Sequence, residues 1–335
     1  MIRPIVLIAS LPLLLAGSLG DARRQLGMGQ PAIAERSYRT LLAHDPDDGE
    51  AMVGLARAQS RQGRCDEAFE VLGRARALGH WTAGAALAEG GCALTTGQYA
   101  RAEVAFLEAA QVDPDSPGAL YGLARVYLAW GDVEAYEAAL EALEATPNSR
   151  AMPAVLRADR ALSWGGEPVE PALDALRATL GPGRVSAAME LRGFEASHHL
   201  ALGQAGRVLD DLESLIRHPA ARPEIAAYVM EASRRLGYVA TARRLANGPR
   251  FSDHPLPLLL AMRARVLTDM GALDEAALLL ADLGDSDHPE VLASRWYLAR
   301  AQGDADARER LAARWRGAVH RPDLSLDMLL TGETP

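Results

Sequence analysis

Two cysteines, Cys65 and Cys92, and one adjacent histidine pair, His198-His199, are the residues whose types could support redox, metal or acid–base chemistry. Their spacing denies most of it. Cysteines this far apart do not supply the CxxC half-sites of a structural zinc centre. Neighbouring positions on a helix point about 100° apart, so His198 and His199 cannot easily face one ion. Carboxylates occur in pairs, as in Asp47-Asp48 and Asp210-Asp211. Acid–base catalysis needs carboxylates that converge across a cleft, and adjacency in sequence does not provide that. These pairs read as turn and outer-face residues. There is no GxSxG elbow, P-loop or HExxH, and Gly27-Met28-Gly29 lacks the preceding strand of a dinucleotide loop. The chain reads as a non-enzyme that calls for no cofactor and no metal.

What must position these residues is announced by glycine. Gly29, Gly63, Gly97, Gly131 and Gly165 stand 34 residues apart. After a slip of four, Gly203, Gly237 and Gly271 resume the step, and Gly303 follows at 32. A fixed internal period in this range means stacked structural units. Five residues after the glycine comes a small one (Ala34, Ala68, Ala102, Ala242, Ala276), and nine after a large apolar one (Tyr38, Leu72, Phe106, Leu140, Leu212, Leu280). Proline follows at Pro46, Pro114 and Pro182, with Pro147 and Pro219 one residue early. The glycine ends a first helix in a left-handed C-cap, where other residues meet a Cβ clash. The alanine lies where two helices approach closely, and the large residue one helical turn on fills the same face. The proline closes a second helix, because it cannot donate the next backbone hydrogen bond.

The runs GLARAQSRQGRCDEAFEVLGRA (within 52–81), GGCALTTGQYARAEVAFLEAAQVDP (within 83–116) and GLARVYLAWGDVEAYEAALEAL (within 117–146) carry the pattern best. They resemble the tetratricopeptide repeat, a helix-turn-helix unit of this length. The resemblance covers nearly everything after the N-terminus and is tighter in the first half. It implies an all-α, right-handed superhelical solenoid of about nine units, whose first helices line a concave groove that holds peptides or helices of partner proteins. Two departures stand out. Tyr136 replaces the small residue of the fourth unit, with Ala135 beside it as a substitute if the helix rotates slightly. The fifth unit is crowded by Gly165-Gly166, Pro168, Pro171 and Gly181-Pro182-Gly183, so its second helix is expected to start near Pro171. The domain reading is an N-terminal array over 21–150, a degenerate joint over 151–185 that bends the solenoid, a C-terminal array over 186–320, and a tail or cap over 321–335.

The family's register places inward positions six and ten residues before each glycine. Those six before are Arg57, Gly91, Arg125, Asp159, Ser197, Glu231, Arg265 and Tyr297; those ten before include Val53, Leu87, Tyr121 and Val155. The resemblance thus implies a partner-binding groove at Val53, Arg57, Leu87, Tyr121, Arg125 and Leu128. Arginines beside aromatic and aliphatic surface suit an acidic, apolar helix or peptide. The lysine of the family's chaperone-tail clamp is absent, since all 35 basic residues are arginine.

Composition narrows the partners. A net charge of −9 argues against nucleic acid, because phosphate binders present a basic face. Residues 1–20 stand apart: Arg3, the apolar run Ile5 to Leu15, and the small residues Ala16-Gly17-Ser18 describe a cleaved signal peptide. An uncleaved anchor is the alternative, and the only route to a membrane. The first reading puts the protein in a bacterial periplasm, the second on the inner membrane facing it. In that oxidising setting Cys65, opening a second helix, and Cys92, near the end of the next first helix, are brought together by antiparallel packing. A disulfide and two buried thiols are both open readings. The tail Asp323 to Leu330 carries enough apolar residues to cover the last repeat. Together these point to a scaffold in an envelope assembly (pilus, secretion, exopolysaccharide or cytochrome maturation), with a periplasmic holdase as the alternative.

Overall fold

The computed structural model describes residues 18–320 other than 148, 150, 165–167, 181–184, 218–221, 249–250 and 252–253, together with Leu326 and Leu330. The expected leader, Gly165-Gly166, Gly181-Pro182-Gly183, Pro219 and most of the tail lie outside the described residues. Among those described there are eighteen α-helices and no strand, and the helices pair into nine hairpins. The first four are α1 (Leu19–Gly27) with α2 (Pro31–His44), α3 (Gly49–Ser60) with α4 (Cys65–Ala77), α5 (Ala83–Thr95) with α6 (Tyr99–Val112), and α7 (Pro117–Trp130) with α8 (Val133–Ala145). The fifth pairs α9 (Met152–Trp164) with α10 (Val169–Leu180). The last four are α11 (Val185–Ala201) with α12 (Ala205–Leu212), α13 (Pro223–Arg235) with α14 (Val239–Ala246), α15 (Pro257–Asp269) with α16 (Leu273–Ala281), and α17 (Pro289–Gln302) with α18 (Ala305–Ala318).

Local chemistry sets the helix ends. Every described glycine of the 34-residue series adopts a left-handed φ between 72° and 77°, a region that costs an L residue about 1–2 kcal/mol. At the other end, the side chains of Asp48, Thr82, Asp132 and Asp304 accept from free N–H groups of α3, α5, α8 and α18. Proline begins α2, α7, α13, α15 and α17, where its missing N–H is not needed. α2, α6 and α8 stop one or two residues before Pro46, Pro114 and Pro147.

Packing follows the period. Ala34, Ala68, Ala102, Ala242 and Ala276 are fully buried, and Tyr38, Leu72, Phe106, Leu140, Leu212 and Leu280 are buried one helical turn further on. Enlarging such an alanine must overpack a close-packed layer. Ala102→Leu is expected to cost roughly 1–3 kcal/mol, and Ala110→Leu, at a half-buried position, less. Equal melting shifts for the two variants would mean the helix faces are misassigned.

Tyr136 corrects the sequence reading. It is itself the inward residue of α8, fully buried, while Ala135 is only half-buried. Rotation of α8 is blocked by its cap, since Asp132 accepts from the Ala135 N–H. The ring is housed instead by Trp164, which packs edge-on at 5.3 Å and donates its indole N–H to the Leu128 carbonyl at 2.9 Å. That contact carries the core across to α9. A cluster of Val155, Ala158, Leu173, Leu176 and Leu191 then joins α9 and α10 to α11. Pro171 falls in the first turn of α10, which begins at Val169.

The solenoid winds back onto itself. Loops between hairpins of the second coil sit on the C-cap glycines of the first. His254 and Leu256 cover Gly63; Ser286, Asp287 and His288 cover Gly97; His320 covers Gly131. His320 Nε2 lies 3.1 Å from the Ala129 carbonyl oxygen, 191 residues away in sequence, and its ring stands edge-on to Trp164 at 6.4 Å. The three histidines are 34 and 32 residues apart, so this seam repeats the period of the glycines it covers.

Burial depresses the basicity of two of them, His254 and His288. The Nδ1 of each accepts a backbone N–H two residues on, from Leu256 and Glu290, both at 3.2 Å. A histidine harder to protonate when folded binds more protons unfolded, so stability is lost as pH falls below the ordinary value of 6.5. Protonation also turns both acceptors into donors. Melting temperature is expected to drop between pH 7.5 and 5.5, and His288→Asn, which keeps a capping acceptor without the titration, to weaken that dependence.

Candidate partner-binding site

The odd-numbered helices α3, α5, α7 and α9 form the concave layer of the first coil, and the predicted groove residues lie along them. The structure divides these six residues into two groups. Val53, Arg57 and Leu87 belong to α3 and α5. Val53 is buried and packs on the start of α5, its Cγ1 3.6 Å from where a Cβ on Gly84 would stand. Leu87 is half-buried and makes the equivalent contact with Gly118 of α7 at 3.4 Å. Arg57 is exposed, with no carboxylate partner among the described residues. Tyr121, Arg125 and Leu128 lie one hairpin further on, and they face a different environment.

That environment is a solvent-open cavity of about 550 Å³ between the coils. Tyr99, Tyr121, Arg125 and Asp159 line it from the first coil, and Tyr228 and His288 from the second. Arg125 Nε stands 3.6 Å from Asp159 Oδ2, and its guanidinium carbon 5.9 Å from the centre of the Tyr121 ring. Burial raises the Asp159 carboxyl above the usual carboxylate range, with Arg125 and the Ser163 hydroxyl opposing. Burial pushes the Tyr99 phenol up to about 12. Leu128 is almost fully buried. Of the six residues, then, Arg57 is openly displayed, Leu87, Tyr121 and Arg125 are part-exposed, and Val53 and Leu128 serve mainly as core.

In the second coil the inward register leads somewhere else. Glu231 and Arg265 are completely buried, so they are not groove surface. Glu231 accepts from Arg234 through both carboxylate oxygens at 2.9 Å and from Arg235 at 2.9 Å, with Arg265 at 3.3 Å. Arg265 continues the network to Glu290 and Ser294, and Arg234 to Asp269 and the Leu330 carbonyl. Leu326 and Leu330 are buried against Leu292, Ala293, Trp296 and Trp315. The two described tail residues therefore cover the last repeat as a cap does.

Cys65 and Cys92 lie in one buried cluster with Val53, Ala56, Ala68 and Leu72. Both are thiols in this structure. A hydrogen bond to Cys92, backed by burial, pushes the Cys65 thiol well up. The two helix ends do meet, as antiparallel packing requires. His198 and His199 are buried side by side in α11, with rings 5.8 Å apart and tilted. No group of histidine, cysteine and carboxylate residues among the described ones could hold a metal ion.

Residues 19–80 and 93–159 match the tetratricopeptide repeat family. The chain carries tetratricopeptide repeats over these two stretches. Such repeats mediate protein–protein interactions, so the concave layer is the surface of interest. Among curated proteins, cellulose synthase operon protein C of Pseudomonas fluorescens (strain SBW25) is 32% identical over 124 residues. The match takes in 34% of this chain and 10% of that protein, so the repeat protein spans about a tenth of its relative's length. Among solved structures, the crystal structure of the P58(IPK) TPR domain aligns with 94% of this chain and 95% of its own at 15% identity, with a TM-score of 0.27. No helix among the described residues is long and apolar enough to cross a membrane.

Residues that only the closed solenoid brings to the cavity were invisible as a site. Tyr228 and His288 reach it from more than a hundred residues beyond Tyr121. His288 had one signal in the sequence, its period: like His254, it stands 17 residues after a repeat glycine.

Proposed function

We propose that this repeat protein is a non-enzymatic scaffold of a bacterial envelope assembly. It holds an acidic, apolar peptide or helix of a partner along the concave layer of its first coil. The observation that carries this reading is Arg57. Its guanidinium stands on the open part of that layer without a carboxylate partner among the described residues, and Leu87 and the Arg125–Tyr121 pair continue the same surface. An arginine in that position offers bidentate pairing to a partner's carboxylate, which fixes orientation, while the neighbouring apolar area supplies affinity. The name of the relative, cellulose synthase operon protein C, favours an exopolysaccharide system over pilus, secretion or cytochrome maturation machinery. A signal sequence over 1–20 would deliver the chain to the periplasm.

The test is in-cell crosslinking of a C-terminally tagged copy, followed by mass spectrometry. One or two envelope proteins recovered from the wild type and lost from Arg57→Glu/Arg125→Glu support the scaffold. Broad recovery of unrelated exported proteins, unchanged by the double substitution, identifies a holdase instead. In an oxidising periplasm the neighbouring Cys65 and Cys92 thiols are expected to close a disulfide that contributes about 3–4 kcal/mol in the chain-entropy account. Peptide mapping without reductant that finds both cysteines alkylatable in protein from the native host would show that they remain thiols.

A further inference from the structure

The seam between the coils covers three of the eight left-handed repeat-glycine seats among the described residues. Gly63, Gly97 and Gly131 each carry a loop from the hairpin five units ahead: the loop after the seventh covers the second, and so on in step. Gly237, Gly271 and Gly303 have the same backbone geometry, with φ of 75°, 77° and 76°. A Cβ built on any of these three meets nothing within 4 Å. These are seats of the same shape with nothing on them.

Their surroundings are those of an interface. Around Gly237 and Gly271 the side chains of Leu236, Tyr238, Val239 and Met270 are 40%, 56%, 43% and 37% exposed. Together they form an uncovered apolar patch on this edge, and exposed apolar area of this kind marks an interaction site. Beside Gly237, Arg243 and Arg244 are exposed, without a carboxylate partner among the described residues. They share a surface depression with Val239, Asn247 and Met270.

The opposite edge of the molecule supplies the complement. Its first-coil loops are of the same kind as those that fill the seam, connecting one hairpin to the next, and two of them, after α2 and after α6, are acidic. The loop between α6 and α7 displays Val112, 70% exposed, followed by Asp113, Pro114 and Asp115, all exposed. When the five-hairpin count is carried past the ninth hairpin into the first hairpin of another molecule, this loop lands on Gly237. That is the seat flanked by Arg243 and Arg244.

We propose that the open edge of the second coil binds the first-coil loops of a second copy of this chain, so that copies stack head to tail and continue the superhelix. Asp113 and Asp115 of one copy pair with Arg243 and Arg244 of the next, and Val112 covers the Val239–Met270 surface. A heterologous contact of this kind does not close, so it builds a rod. The proposal stands on the seam alone and is independent of what the concave layer holds.

Sedimentation velocity on the purified protein tests it over a concentration series at low and high salt. The expected result is a mass rising above the 35.8 kDa monomer with concentration, more strongly at low salt. Arg243→Glu/Arg244→Glu and Asp113→Arg/Asp115→Arg should each weaken association at least tenfold while leaving the melting temperature unchanged, since all four positions are exposed. An equimolar mixture of the two variants should associate again, because each restores opposite charge across the contact. Met270→Glu provides an independent block of the apolar part. A wild type that stays monomeric throughout, association that ignores both double variants, or a mixture that fails to recover it would overturn the head-to-tail contact.

Discussion

Glu231→Ala should destabilise the protein by about 3–5 kcal/mol, the loss expected when one partner of a buried ion network is removed. The carboxylate is fully buried and meets Arg234, Arg235 and Arg265, none of which has water to fall back on. Asp269 would still pair with Arg234 and Glu290 with Arg265, but the shared central carboxylate would be gone. Glu309→Ala on exposed α18 is the control, expected within about 0.5 kcal/mol of wild type. Thermal or urea unfolding that gives the two variants equal stabilities would mean the network is solvated and contributes little. The same site makes a pH prediction. Burial pushes the Glu231 carboxyl up, but Arg234 and Arg265 outweigh it and hold the group well below the ordinary value of 4.5. A carboxylate with a depressed folded pKa contributes fully above that ordinary value and loses its contribution as pH falls toward the folded one. Wild-type stability should therefore fall through the acid range below pH 4.5 more steeply than that of Glu231→Ala.

The second large effect separates backbone strain from the seam. Gly97→Ala and Gly271→Ala place a side chain at φ of 75° and 77°, so both incur the left-handed cost of about 1–2 kcal/mol. Only at Gly97 does the new Cβ strike a neighbour. It would lie 2.6 Å from Ser286 Oγ and 2.8 Å from the His288 backbone nitrogen, and backbone cannot swing aside. Overpacking of this kind adds roughly 1–3 kcal/mol, or is relieved by parting the coils. Small-angle scattering should show a larger radius for Gly97→Ala than for Gly271→Ala, together with a lower melting temperature. If the two variants match in both measurements, the seam does not hold the coils together in solution.

Much of the candidate site could be read from residue types and spacing, and the limits of that reading are physical. Arg57 and Arg125 were read from register alone, and both are exposed on first helices, α3 and α7, because a helix repeats its faces whatever it packs against. Whether such a position is open or closed depends on what else arrives there. Val53 shares the register of Leu87, ten residues before a repeat glycine, yet it is buried against the start of the next first helix. Glu231 and Arg265 share the register of Arg57 and Arg125, yet they became core. The second coil gathers three arginines around one acid there, where the first coil leaves its arginine to solvent.

What the sequence determined by itself was the unit. Glycine at a left-handed cap, alanine at a close approach, a large apolar residue one turn on and proline after the second helix are requirements met within about 34 consecutive residues. Nine hairpins and their buried faces follow from them. What only the tertiary structure decided was closure: the seating of His254, His288 and His320 on glycines 191 residues or so earlier, the open cavity left between the coils, and the edge it leaves bare. The reason is that each hairpin fixes only a small rotation to its neighbour. The sum of those rotations, on which the meeting of first and second coils depends, is written in no single repeat.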